Sequence, residues 1–227
     1  MVIMSIIEKN TVSAQAQVQR KNYTEIFDQG GKINVLFLGN SITRHEPKSE
    51  IGWENDWGMA ASKRENDYVH VTIKRLEERL GKVNYCIANC GEWELHYWED
   101  EKIQNWSQAR DFHADIVIVR LGENIWNARD KFAQHPLAPH YAKMVEYFCV
   151  NPNAKVLVSG VFWQNDEIEN AIYQVAEEKG YLFVRLNDLG ADKGNMAIGE
   201  FWHEGVALHP NDNGMQKIAQ RIVEKLV

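Results

Sequence analysis

Cysteine is scarce. The 227 residues hold three, Cys86, Cys90 and Cys149, too few and of the wrong parity for a disulfide framework, so the fold must be held by an apolar core. If Cys86 and Cys90 share one extended segment, their Cα atoms lie about 13 Å apart at roughly 3.3 Å per residue, beyond disulfide reach. Proline and glycine are modest at 5 and 15, which excludes collagenous and low-complexity chains. No stretch approaches the ~18 consecutive apolar residues that a membrane span needs. Positive charge is in deficit, with 25 Lys and Arg against 32 Asp and Glu and a formal net charge of −7. That balance opposes the phosphate-neutralising surface of a nucleic-acid binder.

What is present is a 44% hydrophobic chain long enough for one sizeable core. Residues 1–31 are polar and Gln-rich without sustained periodicity and read as an arm or lead-in to a domain over 32–227. Met1 to Ile7 is apolar apart from Ser5, and Ala14-Gln15-Ala16 resembles a signal-peptidase site. No basic residue precedes that run, however, and Glu8, Lys9 and Asn10 break it. The expectation is a cytoplasmic protein without a working signal peptide, the alternative being a secreted or periplasmic one with a mis-started leader.

From Ile33 the pattern changes. Ile33 to Leu38 is a nearly continuous apolar run closed by Gly39, the pattern of a parallel strand buried on both faces. Similar runs follow at Val83 to Ala88, Ile116 to Leu121, Val156 to Val161 and Tyr181 to Leu186. Between them, Val69, Ile73, Leu76 and Leu80 fall at helical spacing before Gly81, and Pro139 to Val150 and Asp166 to Lys179 read as helices. A last helix carries Met215, Ile218, Ile222 and Leu226 on one face, with Asn211 or Asp212 as its cap. Five strands alternating with helices predict an α/β domain with a parallel sheet and right-handed crossovers. Ligands in such folds sit at the carboxyl ends of the strands.

Those ends carry chemistry. The first run closes in Gly39-Asn40-Ser41-Ile42-Thr43, the second in Asn89-Cys90-Gly91, the third in Gly122-Glu123-Asn124, and His209-Pro210 precedes the last helix. Each alone is an ordinary turn or cap. Together they supply the parts of serine ester hydrolysis: Ser41 as nucleophile, His209 as base, and oxyanion donors in the Ser41 N–H, the Gly91 N–H and the Asn124 carboxamide. In order and spacing the chain resembles the SGNH hydrolases, the GDSL-type esterases and lipases, chiefly through VLFLGNSIT and VIVRLGEN. The resemblance implies a flavodoxin-like three-layer fold, no cofactor or metal, and an activity such as carbohydrate deacetylation or lysophospholipid or thioester cleavage.

Two positions depart from the family pattern. Asn40 stands where Asp is usual, and Val206 stands where an acid normally precedes the catalytic His by three residues. The orienting partner of His209 must then be a backbone carbonyl or an acid from elsewhere, for which Glu204 and Glu123 are the candidates, Glu123 also being placed to pair with Arg120. The missing acid leaves a non-catalytic carbohydrate-binding protein of the same fold as an alternative. His203 and His209 are six apart, not the four of a helical zinc pair, and read as loop residues. His45, His70, His96, His113, His135 and His140 have no motif around them.

Residues 44–56 lack helical periodicity and predict a long loop over the site. Trp53 and Trp57 on that loop are candidates for stacking on a sugar ring, and equally for pinning it to the core. Trp93, Trp98, Trp126, Trp163 and Trp202 also lie near segments that follow strands. Aromatic faces at the rim favour a carbohydrate over a long acyl chain, and the resemblance, which carries most of the weight, implies a small acyl ester, acetyl above all, on that carbohydrate. The oligomeric state is not legible.

Overall fold

The computed structural model describes residues 23–227. Met1 to Ile7 and Ala14-Gln15-Ala16 lie outside the described residues. The strands are β1 (Tyr23–Phe27), β2 (Ile33–Gly39), β3 (Val83–Asn89), β4 (Ile116–Arg120), β5 (Lys155–Ser159) and β6 (Leu182–Val184). The helices used below are α1 (Tyr68–Leu80), α2 (Gly91–Leu95), α3 (Leu137–Phe148), α4 (Asp166–Lys179), α5 (Glu204–Ala207) and α6 (Asp212–Leu226).

The sheet order is β1-β3-β2-β4-β5-β6. All pairings from β3 to β6 are parallel, so these five strands have the flavodoxin-like 2-1-3-4-5 order with its switch point beside β2. The five apolar runs are these strands. The sixth is a correction to the expected lead-in: Tyr23–Phe27 pairs antiparallel with β3, Ile26 opposite Cys86. Its sequence, YTEIF, is half exposed along its length and lacks the apolar continuity of a central strand, since an edge strand buries only part of its surface. Phe27 stacks on Tyr85 with ring centroids 4.4 Å apart, which fixes it to the sheet.

Alternation along the strands builds two cores. Leu36 and Leu38 of β2 face one side with Val117 and Val119 of β4, under α3 and α4. Val35 and Phe37 face the other with Ile116 and Ile118, under α1 and α6. The helix stops and caps follow local chemistry. Gly81 closes α1, and the Asn211 side chain caps α6 by accepting from Gly214 N–H at 3.0 Å. Cys86, Cys90 and Cys149 are free thiols. A third apolar cluster of Ile51, Trp53, Met59, Ala60, Ala197 and Val206 packs the loop after β2 against α5. Among the described residues no helix is long and apolar enough to cross a membrane.

Candidate active site

The loops at the carboxyl ends of β2, β3 and β4 meet at the switch point. After β2 the chain turns sharply, with the N–H groups of Thr43 and Arg44 both donating to the Asn40 carbonyl at 2.9 and 3.0 Å. Gly39 permits this: a Cβ there would stand 1.7 Å from Thr43 Oγ1, which is itself held by Tyr68 OH at 2.8 Å. The turn leaves Ser41 half-buried, with its hydroxyl facing the α5–α6 junction.

Ser41 Oγ lies 2.9 Å from His209 Nε2. His209 Nδ1 is 2.7 Å from the Gly205 carbonyl oxygen. A carbonyl only accepts, so Nδ1 carries the proton and Nε2 is left with the lone pair that can take the serine proton. The local fold explains this partner. The His209 backbone N–H turns back to the Val206 carbonyl, so the Gly205 carbonyl is left over at the helix end and the imidazole four residues on takes it. Burial pushes the imidazole down to about 3, which keeps His209 neutral around neutral pH with its Nε2 lone pair unprotonated. Trp163 packs edge-on to the ring at 5.1 Å and donates through Nε1 to the Leu208 carbonyl, fixing the segment that carries His209.

Neither candidate acid orients His209. Glu204 is exposed at the start of α5. Glu123 is turned inward, where Oε1 accepts two bonds from the fully buried Arg120, at 2.5 and 2.8 Å, and one from Phe162 N–H at 3.0 Å. Pairing with Arg120 is thus the role the structure gives it. Val206, at the usual acid position, is fully buried in the apolar cluster of the loop, where a carboxylate would have no partner.

The three oxyanion candidates fare differently. Ser41 N–H has no hydrogen-bond partner among the described residues and is free to receive charge. Asn124 Nδ2 donates one hydrogen to Glu94 Oε2 at 2.6 Å, leaving its second. Gly91 N–H is already engaged by Asn89 Oδ1 at 2.9 Å, so the expected free donor at this position is not found.

The sequence reading missed Glu94. It follows Gly91 by three residues on α2, is fully buried, and bonds Asn40, Gly122 and Asn124. This accounts for Asn40. Its Oδ1 accepts from Ile42 N–H at 3.3 Å, while Nδ2 donates to both oxygens of Glu94, at 3.1 and 3.2 Å, and to Glu123 Oε2 at 2.7 Å. An aspartate there would put a third negative group between two carboxylates.

Of the loop tryptophans, Trp53 is fully buried and packs on Trp57 and Phe201 at 6.0 Å, which settles it as a core pin and not a stacking face. Trp57 is half-buried, with Nε1 donating to the Ala61 carbonyl at 2.9 Å. Trp202 is the exposed one, at 74%, lying against Gly52 of the same loop.

No protein-family model matches the chain, and no functionally curated protein matches it in sequence. Solved structures do. A protein from Bacteroides uniformis assigned as a GDSL-like lipase aligns over 86% of this chain and 95% of its own, with a TM-score of 0.56 and 16% identity. A family 3 carbohydrate esterase from Clostridium thermocellum covers 85% and 94%, with a TM-score of 0.54 and 18% identity. The carbohydrate acetylesterase Est24 from Sinorhizobium meliloti covers 86% and 98%, with a TM-score of 0.52 and 14% identity. At these identities the likeness is one of fold, and the fold of this chain is the α/β/α sandwich of the GDSL-type esterases and lipases.

Proposed function

We infer that the protein is a serine esterase that removes a small acyl group, most simply acetyl, from a carbohydrate ester. One observation carries this: Ser41 Oγ at 2.9 Å from an imidazole whose other nitrogen is held as a donor by the Gly205 carbonyl. Ser41 attacks the ester carbonyl carbon while His209 Nε2 takes the hydroxyl proton. Ser41 N–H and the free Asn124 Nδ2 hydrogen receive the oxyanion. His209 returns the proton to the leaving alcohol, then takes one from the water that attacks the acyl-enzyme and passes it to Ser41 Oγ as the carboxylic acid departs. A backbone carbonyl supplies the tautomer and orientation that a triad carboxylate would supply, without its negative charge. The carbohydrate assignment draws on the esterases above, two of which act on carbohydrates, and on the exposed Trp202.

The test is hydrolysis of p-nitrophenyl acetate, butyrate and octanoate by the parent and by Ser41→Ala. Turnover greatest for acetate and reduced to background by the substitution is expected. Rates rising with acyl length would move the substrate to lipids or thioesters, and turnover unaffected by Ser41→Ala would overturn the mechanism. Trp202→Ala is expected to raise KM several-fold on acetylated oligosaccharides and to leave p-nitrophenyl acetate unchanged. Equal effects on both would remove Trp202 from sugar binding.

A further inference from the structure

Glu94 gathers the three loops on which the site is built. It projects from α2, after β3. Oε1 accepts from Gly122 N–H at 2.5 Å, from Asn40 Nδ2 at 3.1 Å and from Asn124 N–H at 3.4 Å. Oε2 accepts from Asn124 Nδ2 at 2.6 Å and Asn40 Nδ2 at 3.2 Å. One buried carboxylate thereby joins the end of β2, beside the nucleophile, to the end of β4, which carries the oxyanion amide. Every partner is a donor, and only an acceptor-only group satisfies them all. The carboxylate also decides how Asn124 is turned. Facing Glu94, the carboxamide must present Nδ2, because Oδ1 there would oppose oxygen to oxygen.

We propose that Glu94 is the positioning residue of the oxyanion hole, its ionised carboxylate locking Asn124 with the amide donor inward and the second hydrogen directed to substrate. This rests on the serine-esterase reading for its effect on rate, but not for its effect on Asn124. When Glu94 is protonated, its O–H becomes a donor facing a donor, Asn124 turns Oδ1 to it, and the oxyanion loses a partner.

The charged surroundings set where this happens. Glu123 faces Glu94 across Asn40 and is paired with Arg120. Cys90, a turn earlier on the chain, and Tyr141 of α3 are both raised by burial and stay neutral near pH 7. Burial first, then the Glu123 charge, push the Glu94 carboxyl up to about 7 against the opposing hydrogen bonds. The ionised form is the competent one, so activity rises with pH through about 7. With the imidazole lowered to about 3, His209 does not set that limb.

The experiment follows the side-chain amide signals of Asn124 by ¹H–¹⁵N NMR, identified by their loss in Asn124→Ala. In the parent they are expected to titrate near pH 7. In Glu94→Gln, nearly isosteric and without the charge, they should be shifted and pH-independent. Signals of Asn124 that neither titrate in the parent nor change in Glu94→Gln would overturn the proposal whether or not any ester is hydrolysed. Should Glu94→Gln fail to fold, the parent titration decides alone. With p-nitrophenyl acetate, Glu94→Gln and Asn124→Ala are each expected to lower kcat by about 10²–10³. The double variant should be no slower than Asn124→Ala. Multiplicative losses would mean that Glu94 acts other than through Asn124. Parent turnover insensitive to Ser41→Ala would sink the esterase reading while the NMR result still judges Glu94.

Discussion

Ser41 and His209 stand 168 positions apart in the chain and within one hydrogen bond in space. The distal nitrogen of His209 shows how a backbone can replace a side chain. Glu204 lies on the same segment yet points outward, and the Gly205 carbonyl beside it does the orienting. Because that partner is main chain, Glu204→Ala is expected to leave kcat on p-nitrophenyl acetate within about twofold of the parent, whereas His209→Ala should abolish turnover. A large loss in Glu204→Ala, read in the same assay, would mean that an acid engages His209 during the reaction. Ser41, Gly91 and Asn124 were legible because each sits just after an apolar run, and His209 because it stands with Pro210 before the last helix. Glu94 was not, since a glutamate in a short GEWEL segment reads as a solvated helix residue, and only the packed structure shows its carboxylate facing inward.

At the scale of elements, the turn after β2 and the short helix α5 are the parts that aim the two reacting groups. Gly39 is the closest approach in the turn. Gly39→Ala would drive its Cβ onto Thr43 Oγ1, a buried group with no room to retreat, and would move Ser41 with it. The expected outcome is a loss of turnover of about 10²-fold or more, as for a nucleophile displaced by roughly 1 Å, with any stability loss followed by thermal unfolding. Gly122 is constrained in the same way after β4: its φ of 151° and the nearby Val161 side chain leave no place for a Cβ. On α5, Val206 holds the position at which the family pattern that the sequence resembles has an acid. Restoring one is expected to harm the protein, because Val206→Asp buries an unpaired carboxylate among Trp53, Met59 and Ala197. A destabilisation of roughly 3–5 kcal/mol is expected, read by chemical denaturation. A gain in activity without loss of stability would show that the loop and α5 repack around an Asp–His pair. Strands β2 to β6 and helices α1, α3, α4 and α6 were legible in advance because buried strands and amphipathic helices leave periodic signals, whereas the single-turn helices α2 and α5 are too short to leave one. Strand β1 left none, being short, polar in part and half exposed.

Across the whole molecule, the sheet order brings the ends of β2, β3 and β4 together, and the long loop after β2 closes over them by packing Trp53 beneath α5. The loop is therefore part of the core as well as a neighbour of the site. Trp53→Ala is expected to cost about 3–5 kcal/mol, the range for removing a fully buried large aromatic, and to lower the melting temperature accordingly. A change confined to substrate affinity, with stability intact, would contradict that assignment. The placement of tryptophans after strands predicted aromatic faces at the rim, but Trp53 and Trp93 are fully buried and Trp202 is the exposed one among the described residues, because burial of an aromatic depends on what packs over it. Trp53 and Trp202, one hidden and one exposed, are not distinguishable by residue type.

The central claim is that Ser41 carries the acyl group. Its most direct test is to mix the protein with p-nitrophenyl acetate, quench in acid during turnover and determine the mass of the peptide containing Ser41. The expected result is one added acetyl group on that peptide in the parent, transient and cleared by water, and none in Ser41→Ala. Ester hydrolysis that proceeds with no adduct on Ser41, at a rate the substitution does not change, would contradict the account.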